Sequence, residues 1–217
     1  MIATEGKSDV HILTRALEVL RPEVADFFRF VDTQKSHPFS SVSGLLKFAE
    51  GSARVDVQNQ VVFLFDNDAE GVGGYRRLPE FDLPANMCGI ILSELEEFRS
   101  FPSWGPDGHH RSDINRNAAA IECYLDLYSG DCPPPQVRWS NYKTETDTYQ
   151  GALDKKELYK KHFLVQTAEA LRGGTYDVRE IEAILDCLVA ERVAIAVDDE
   201  NRRQTLVQFE DATGFSF

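Results

Sequence analysis

The chain has 217 residues, of which 42% are hydrophobic and 27% charged, a mixture typical of a folded domain and not of a disordered or collagen-like chain. Asp and Glu outnumber Lys and Arg by 36 to 23, and the net charge of −13 opposes long-range attraction to a polyanion. No run approaches the ~20 apolar residues that span a bilayer, and the cysteines lack zinc-site or disulfide spacing. A cytoplasmic protein without a membrane partner is expected.

The first part of the chain is predicted to alternate strands with helices. Apolar residues recur at helical spacing in two segments, which Pro22 and Gly51 end. The predicted elements are a strand at 1–4, a helix at 8–20, a strand at 26–31 and a helix that begins at Ser40 or Ser41 and ends at Gly51.

The strongest strand prediction is the continuous apolar run at 60–65, which is typical of a strand covered on both faces in a parallel sheet. A short helix and a further apolar run at 87–92 repeat the alternation. We therefore predict an α/β fold, with a parallel sheet of about four strands flanked by helices.

The middle of the chain is more polar. Residues 99–112 contain Pro, Gly and paired His residues and predict a long loop. Asp113 suits the N-cap of a helix predicted over 114–127.

A run of three prolines introduces a mainly helical C-terminal part. Helical spacing predicts helices within 153–171 and over 178–190, and a terminal β-hairpin is predicted within 193–209. We predict a catalytic domain at 1–130 and an extension at 131–217 packed on the same core.

Acidic residues follow two of the predicted strands. Glu5 closes the first strand, and Asp66 and Asp68 follow the strand at 60–65. Because ligands of parallel α/β sheets gather beyond the carboxyl ends of the strands, these carboxylates are candidates for one site. Their hard oxygens suit Mg²⁺ or Mn²⁺. The alternative is that these carboxylates only cap helices and turns.

The combination resembles the Toprim domain of topoisomerases, bacterial primases and certain nucleases. Its two marks are a glutamate after the first strand, here in Glu5-Gly6-Lys7-Ser8-Asp9, and an Asp-x-Asp with a following glycine, here at residues 66–71. The resemblance covers about residues 1–95 and implies that the predicted parallel sheet of about four strands is Toprim-like. It implies an acid/base role for Glu5 and Mg²⁺ ligation by Asp66 and Asp68.

Residues 120–125 narrow the resemblance, since they are similar to the Ile-Glu-x-Tyr-Leu segment of Toprim nucleases related to the overcoming-lysogenization-defect family. That similarity implies that Glu122 and Asp9 complete a site for one or two ions. It also implies a catalytic lysine at Lys156, with Lys155 as the fallback. Where the resemblance would place a glycine before the lysine, this chain has Lys155.

The chain as a whole looks most like the Toprim half of HEPN/Toprim proteins. That resemblance implies a HEPN or ATPase partner domain or protein, homo-oligomer formation and a role in defence against phage or plasmids. The expected activity is metal-dependent hydrolysis of nucleic-acid phosphodiesters, with DNA favoured, by a two-metal mechanism. The alternatives are another Mg²⁺-dependent phosphoryl-transfer enzyme and a non-catalytic Toprim interaction module.

Nucleic-acid contacts are predicted at positive residues outside the acidic set. The candidates are Lys155, Lys160, His109 and Arg111, although solvated helix and loop surfaces are the commoner explanation for such residues. Trp104, Trp139 and Tyr142 could stack on bases, against the commoner role of aromatic residues in a core.

Overall fold

The computed structural model describes residues 1–31, 41–55, 57–106, 108–144 and 146–213. Its strands are β1 (Ile2–Thr4), β2 (Val61–Phe65), β3 (Asn67–Asp68), β4 (Met87–Ile91), β5 (Phe101–Gly105), β6 (Gly108–Ser112), β7 (Ala118–Ala119), β8 (Val137–Lys143) and β9 (Thr148–Leu153). Its helices are α1 (Lys7–Leu20), α2 (Val42–Arg54), α3 (Ala69–Arg77), α4 (Lys156–Leu164), α5 (Ala168–Arg172) and α6 (Arg179–Thr213).

A three-stranded parallel sheet in the order β1-β2-β4 forms the centre of the fold. Along β2, Val62 and Leu64 pack in one apolar cluster with α1, whereas Phe63 and Phe65 pack in another with α2. All five residues of β2 are buried, which explains its continuous apolar sequence. The predicted α/β class and parallel sheet are confirmed.

The predicted strand at 26–31 is mostly absent. Ala25–Phe27 forms a 3-10 turn instead, and Phe27 is exposed. Phe30 forms a single parallel bridge to Ile2, beside the hydrogen bond from Val31 N to Ile2 O of 3.0 Å. The fourth position of the sheet is therefore reduced to one bridge. At the next predicted element, Ser41 caps α2 by accepting from Gly44 N, whereas Ser40 lies outside the described residues.

The prediction of a loop at 99–112 is wrong, because β5 and β6 form an antiparallel hairpin there. These strands join β8 and β9, which the sequence reading missed, in a second sheet ordered β6-β5-β8-β9. The glycines that look like loop residues flank the turn, and Gly108 has a φ of 88°. Pairing between distant strands, rather than local propensity, determines this sheet.

The predicted helix at 114–127 is also wrong. The segment contains β7, which pairs antiparallel with β3, and a 3-10 turn over Ile121–Tyr124. Tertiary contacts replace helical hydrogen bonds here, since the backbone N–H of Ile121 donates to Asp66 Oδ1 at 3.1 Å.

The C-terminal part after β9 is helical, as predicted, but residues 137–153 form β8 and β9, and α6 stands where the terminal hairpin was predicted. α6 continues through residues 193–209, and no Gly or Pro occurs between Arg179 and Thr213 to end it. None of the helices in the described part of the chain is long and apolar enough to cross a membrane. The largest apolar cluster includes Leu13, Phe163 and Leu185, from both sides of residue 130, and the domain boundary there stays a prediction.

Candidate functional site

Glu5 and Asp9 lie where β1 passes into α1. Glu5 follows the last residue of β1, so the strand places its carboxylate at the carboxyl edge of the sheet. Asp9 is in the first turn of α1, where Oδ2 accepts a hydrogen bond of 3.0 Å from Gly6 N. Asp9 is only 7% exposed, so this helix-capping acid is also a buried one.

Asp66 and Asp68 occupy the corresponding place after β2. The backbone N–H of Asp66 donates to Glu5 Oε1 at 3.2 Å, and this bond joins the ends of the two strands. Asp68 caps α3, where Oδ1 accepts from Gly71 N at 2.7 Å. The two strand-end motifs therefore meet in space.

Glu122 and Lys156 close the site from the C-terminal side. The 3-10 turn buries Glu122 to 1% exposure, and its Oε1 lies 3.4 Å from Lys156 Nζ. Apart from this ion pair, Glu122 Oε1 has no hydrogen-bond partner among the described residues. Lys156 is the first residue of α4, so the helix start aims its ammonium group at the carboxylates.

The five carboxylates form one electrostatic unit, here called the acidic cluster (Glu5, Asp9, Asp66, Asp68 and Glu122). Burial raises the pKa of Asp66 well above its usual range, and the charges of the other four carboxylates raise it further. Burial likewise raises the pKa of Glu5, with added repulsion from Asp68 and Asp9. The pKa of Asp68 is raised by burial although it accepts two hydrogen bonds.

Asp9 and Lys156 both respond to the negative charge of the acidic cluster. Burial, followed by repulsion from Glu122, raises the pKa of Asp9 to about 7. Burial acts to lower the pKa of Lys156, but attraction to Glu122, Asp66 and Asp9 outweighs it and raises the pKa overall. One lysine therefore faces more carboxylate charge than it can neutralise.

The carboxylate oxygens of the acidic cluster are the ligand type that hard divalent cations prefer, but their present positions do not form a metal site. Among the described residues, no three His, Cys, Asp or Glu side chains stand so that they could hold a metal ion without moving. Glu5, Asp9, Asp66 and Asp68 each accept a hydrogen bond from a backbone N–H group. Glu122 Oε1 is buried and lacks such a bond. A cation would satisfy this oxygen and relieve the mutual repulsion.

The predicted nucleic-acid residues divide into two groups. Lys155 is exposed beside the acidic cluster, whereas Lys160 is largely buried, pairs with Glu157 and donates to Ser8 Oγ at 3.1 Å. His109 and Arg111 lie on β6, at the far edge of the second sheet. Three strand spacings, about 14 Å, separate β6 from β9.

Lys155 has a backbone conformation that is uncommon for a residue other than glycine. Lys155 has a φ of 52°, in the left-handed region that favours glycine. The position where the Toprim resemblance would place a glycine is therefore one at which glycine fits the backbone without strain.

Gln150 on β9 is a site residue that the sequence reading missed. Its Nε2 donates to Asp68 Oδ2 at 2.7 Å, and its Oε1 accepts from Glu70 N at 3.1 Å. Gln150 thus fixes both the carboxylate of Asp68 and the first turn of α3. The sequence offered no signal for it because the β8–β9 hairpin itself was not predicted.

Asn67 is a second missed residue and holds the turn that carries Glu122. It is 1% exposed, and its Oδ1 accepts from Arg116 N at 2.8 Å. Its Nδ2 lies 3.3 Å from both Asn115 Oδ1 and Tyr124 Oη. A buried Asn between two acidic residues and the Tyr of the Ile-Glu-x-Tyr-Leu segment were the signals that could have suggested this network.

Gly71 is required by the close approach of α3 to Asp66. A Cβ at this position would lie 2.2 Å from Asp66 O, a backbone atom that cannot rotate away. We expect Gly71→Ala to lower the free energy of unfolding by roughly 1–3 kcal/mol, because the helix must shift. Urea unfolding of the wild type and the variant measures this difference.

The matched control is Gly73→Ala in the same helix. Its added Cβ would make only an ordinary contact of 3.6 Å with Thr146 Cγ2. Removing a helical glycine there should raise the free energy of unfolding by about 0.5–1 kcal/mol. Equal effects of the two substitutions would contradict the steric argument.

No protein-family model, curated protein or solved structure matches this chain. A functional inference for it therefore depends on the chemistry of its own side chains.

Proposed function

We propose that this chain is a divalent-metal-dependent nuclease of the Toprim type that hydrolyses phosphodiester bonds in DNA. The observation that carries the proposal is the acidic cluster itself. Three separate chain segments bring five carboxylates together, a fourth segment adds Lys156, and the pKa values of four of the carboxylates are raised. Buried like charges are costly, so their convergence calls for a cation.

The acidic cluster would hold one or two Mg²⁺ or Mn²⁺ ions. When bound, such ions neutralise a phosphate and lower the pKa of a coordinated water. Bound cations also reverse the local field, which answers the objection that a chain of net charge −13 repels DNA.

Two residues of the chain have roles besides ligation. Glu5 is suited to hold and release a proton, since burial and neighbouring charges raise its pKa well above the usual value for a glutamate. Lys156 keeps its positive charge, because its pKa is raised, and its Nζ can offset negative charge that develops on a phosphate. A HEPN or ATPase partner, homo-oligomer formation and action in the cytoplasm against phage or plasmids are further parts of this proposal, and they rest on the family resemblance.

The test combines metal binding with cleavage. Calorimetric titration with Mg²⁺ and Mn²⁺ is expected to show binding by the wild type and none by the double variant Asp66→Ala, Asp68→Ala. Cleavage of plasmid and of single-stranded DNA should fall by at least about 10²-fold in the variant, since each lost electrostatic group costs roughly that much.

Asp131→Ala serves as the control, because Asp131 is an exposed carboxylate outside the acidic cluster. It should bind metal and cut DNA like the wild type. Metal binding without cleavage would favour a different phosphate substrate, and the absence of binding would favour a non-catalytic interaction module.

A further inference from the structure

The second sheet has an exposed face that carries an unusual row of side chains. His109, Trp104, Arg138 and Ala152 are cross-strand partners, one from each of β6, β5, β8 and β9. All four are exposed, and Trp104 is 38% exposed. We call this row and its neighbour Arg111 the outer face.

The outer face is not needed for the core. Residues on the opposite side of the same strands, including Phe101, Ser103, Val137 and Leu153, are buried against the rest of the protein. Because side chains alternate between the two sides of a strand, that side of the sheet is the one that packs on the core. An exposed tryptophan on the outer side has no such role in packing.

The sheet also differs in charge from the rest of the chain. The four strands, as bounded in the structure, contain Arg111, Arg138, Lys143 and two histidines but no Asp or Glu. The whole chain has a net charge of −13, so strands with positive residues and no acidic ones are unusual in it. Two of the positive groups have partners outside the strands, since Lys143 pairs with Glu70 and Arg138 lies 3.6 Å from Asp154.

The aromatic and positive groups of the outer face lie close together. The guanidinium carbon of Arg138 lies 4.7 Å from the centre of the Trp104 ring. The imidazole of His109 lies 6.4 Å from that ring on the neighbouring strand. An indole and a guanidinium plane in contact form a surface on which nucleobases stack.

The row leads from the far edge of the sheet to the acidic cluster. It ends at Ala152 on β9, and Gln150 on the same strand donates to Asp68 Oδ2 at 2.7 Å. A strand of nucleic acid lying across the sheet would therefore run towards the carboxylates over about 14 Å, a distance of two or three nucleotides.

We propose that the outer face is a docking surface for single-stranded DNA, which it guides to the acidic cluster. Trp104 stacks on a base, while Arg138, Arg111 and His109 contact the backbone. A single strand fits better than a duplex because its bases are unstacked and can reach the indole. This inference rests on the proposed nuclease function for the identity of its ligand.

The test measures binding apart from cleavage. A fluorescein-labelled 20-nucleotide DNA of mixed sequence is titrated with the full chain in EDTA, and fluorescence anisotropy gives the Kd. We expect Trp104→Ala to weaken binding roughly tenfold, because base–aromatic stacking commonly contributes that much. Trp104→Phe should bind within about threefold of the wild type, since a phenyl ring still stacks.

Tyr128→Ala is the matched control, since Tyr128 is a 76% exposed aromatic residue outside the second sheet. Its Kd should equal that of the wild type. Quenching of intrinsic fluorescence by DNA should be lost in Trp104→Phe, which retains only Trp139 of the two tryptophans.

Several results would overturn the proposal: no binding by the wild type, equal binding by Trp104→Ala, tighter binding of duplex, or tighter binding of the same sequence as RNA. Binding in EDTA that depends on Trp104, without metal-dependent cleavage, would leave the docking surface standing and overturn the nuclease function instead.

Discussion

The metal-free protein is expected to lose stability as the pH rises from about 5 to 8. Burial and repulsion from Glu122 raise the pKa of Asp9 from 3.8 to about 7 in the folded chain. The folded state therefore holds this proton more tightly than the unfolded state, so stability falls as the pH rises above 3.8 and through about 7. Asp9 alone contributes roughly 3 kcal/mol to this loss, and Glu5, Asp66 and Asp68 act in the same direction.

Thermal unfolding in EDTA at several pH values measures this effect. For a chain of this length, 1 kcal/mol corresponds to about 2–4 °C in Tm. The variant Asp9→Asn should be more stable than the wild type at pH 8 and should show a flatter pH profile. The amide oxygen can still accept from Gly6 N, so the helix cap is retained.

Asp177→Asn is the control, because the pKa of Asp177 is lowered in the folded chain, whereas that of Asp9 is raised. Hydrogen bonds from Arg179 hold the pKa of Asp177 below its usual value, so its ionised form is favoured by folding. This variant should gain no stability at pH 8.

Addition of Mg²⁺ at pH 8 should raise the Tm of the wild type and have little effect on Asp9→Asn. A wild-type Tm that is independent of pH would contradict the prediction.

The central sheet was predictable because its signal is local. The apolar run in β2 has side chains that face α1 on one side and α2 on the other, so both faces demand apolar residues. The strand-end acids could be placed for the same reason, since Glu5 and Asp66 follow directly from β1 and β2. Order along the chain and the parallel topology then determine that they meet.

The second sheet was not predictable in this way. β5 contains Pro102 and Gly105, and β8 has a single buried position, Val137. Their strand conformation depends on pairing between residues distant in sequence, such as Ser103 with Val137. Gln150 and the outer face could not be found without that pairing.

For the segment around Glu122 the sequence motif could be found from the sequence, but its conformation could not. The segment at 120–125 was recognised as a motif and assigned to a helix, whereas the structure has a 3-10 turn. Asp66 accepts from Ile121 N and thereby takes a backbone group that a helix would use. A helical pattern alone could not reveal that competing hydrogen bond.

The ion pair of Glu122 with Lys156 is expected to affect the free energy of unfolding about as strongly as Asp9 does. We expect Lys156→Met to lower the free energy of unfolding of the metal-free protein by about 2 kcal/mol. Removing one partner of a buried pair typically costs about 3–5 kcal/mol, and the 45% exposure of the Lys156 side chain reduces that value. The cost arises because Glu122, 1% exposed, is left with an uncompensated charge.

A double-mutant cycle separates this charge effect from the loss of lysine packing. In the Glu122→Gln background, Lys156→Met should cost little, which gives a coupling energy of about 1–2 kcal/mol. Lys161→Met, an exposed lysine on the same helix, should be nearly neutral in both backgrounds. Mg²⁺ should restore part of the stability lost in Lys156→Met, because a bound cation would take over the charge compensation of Glu122. Additive effects of the two substitutions would show that the 3.4 Å contact does not stabilise the fold, and Lys156 would then have to be explained by catalysis alone.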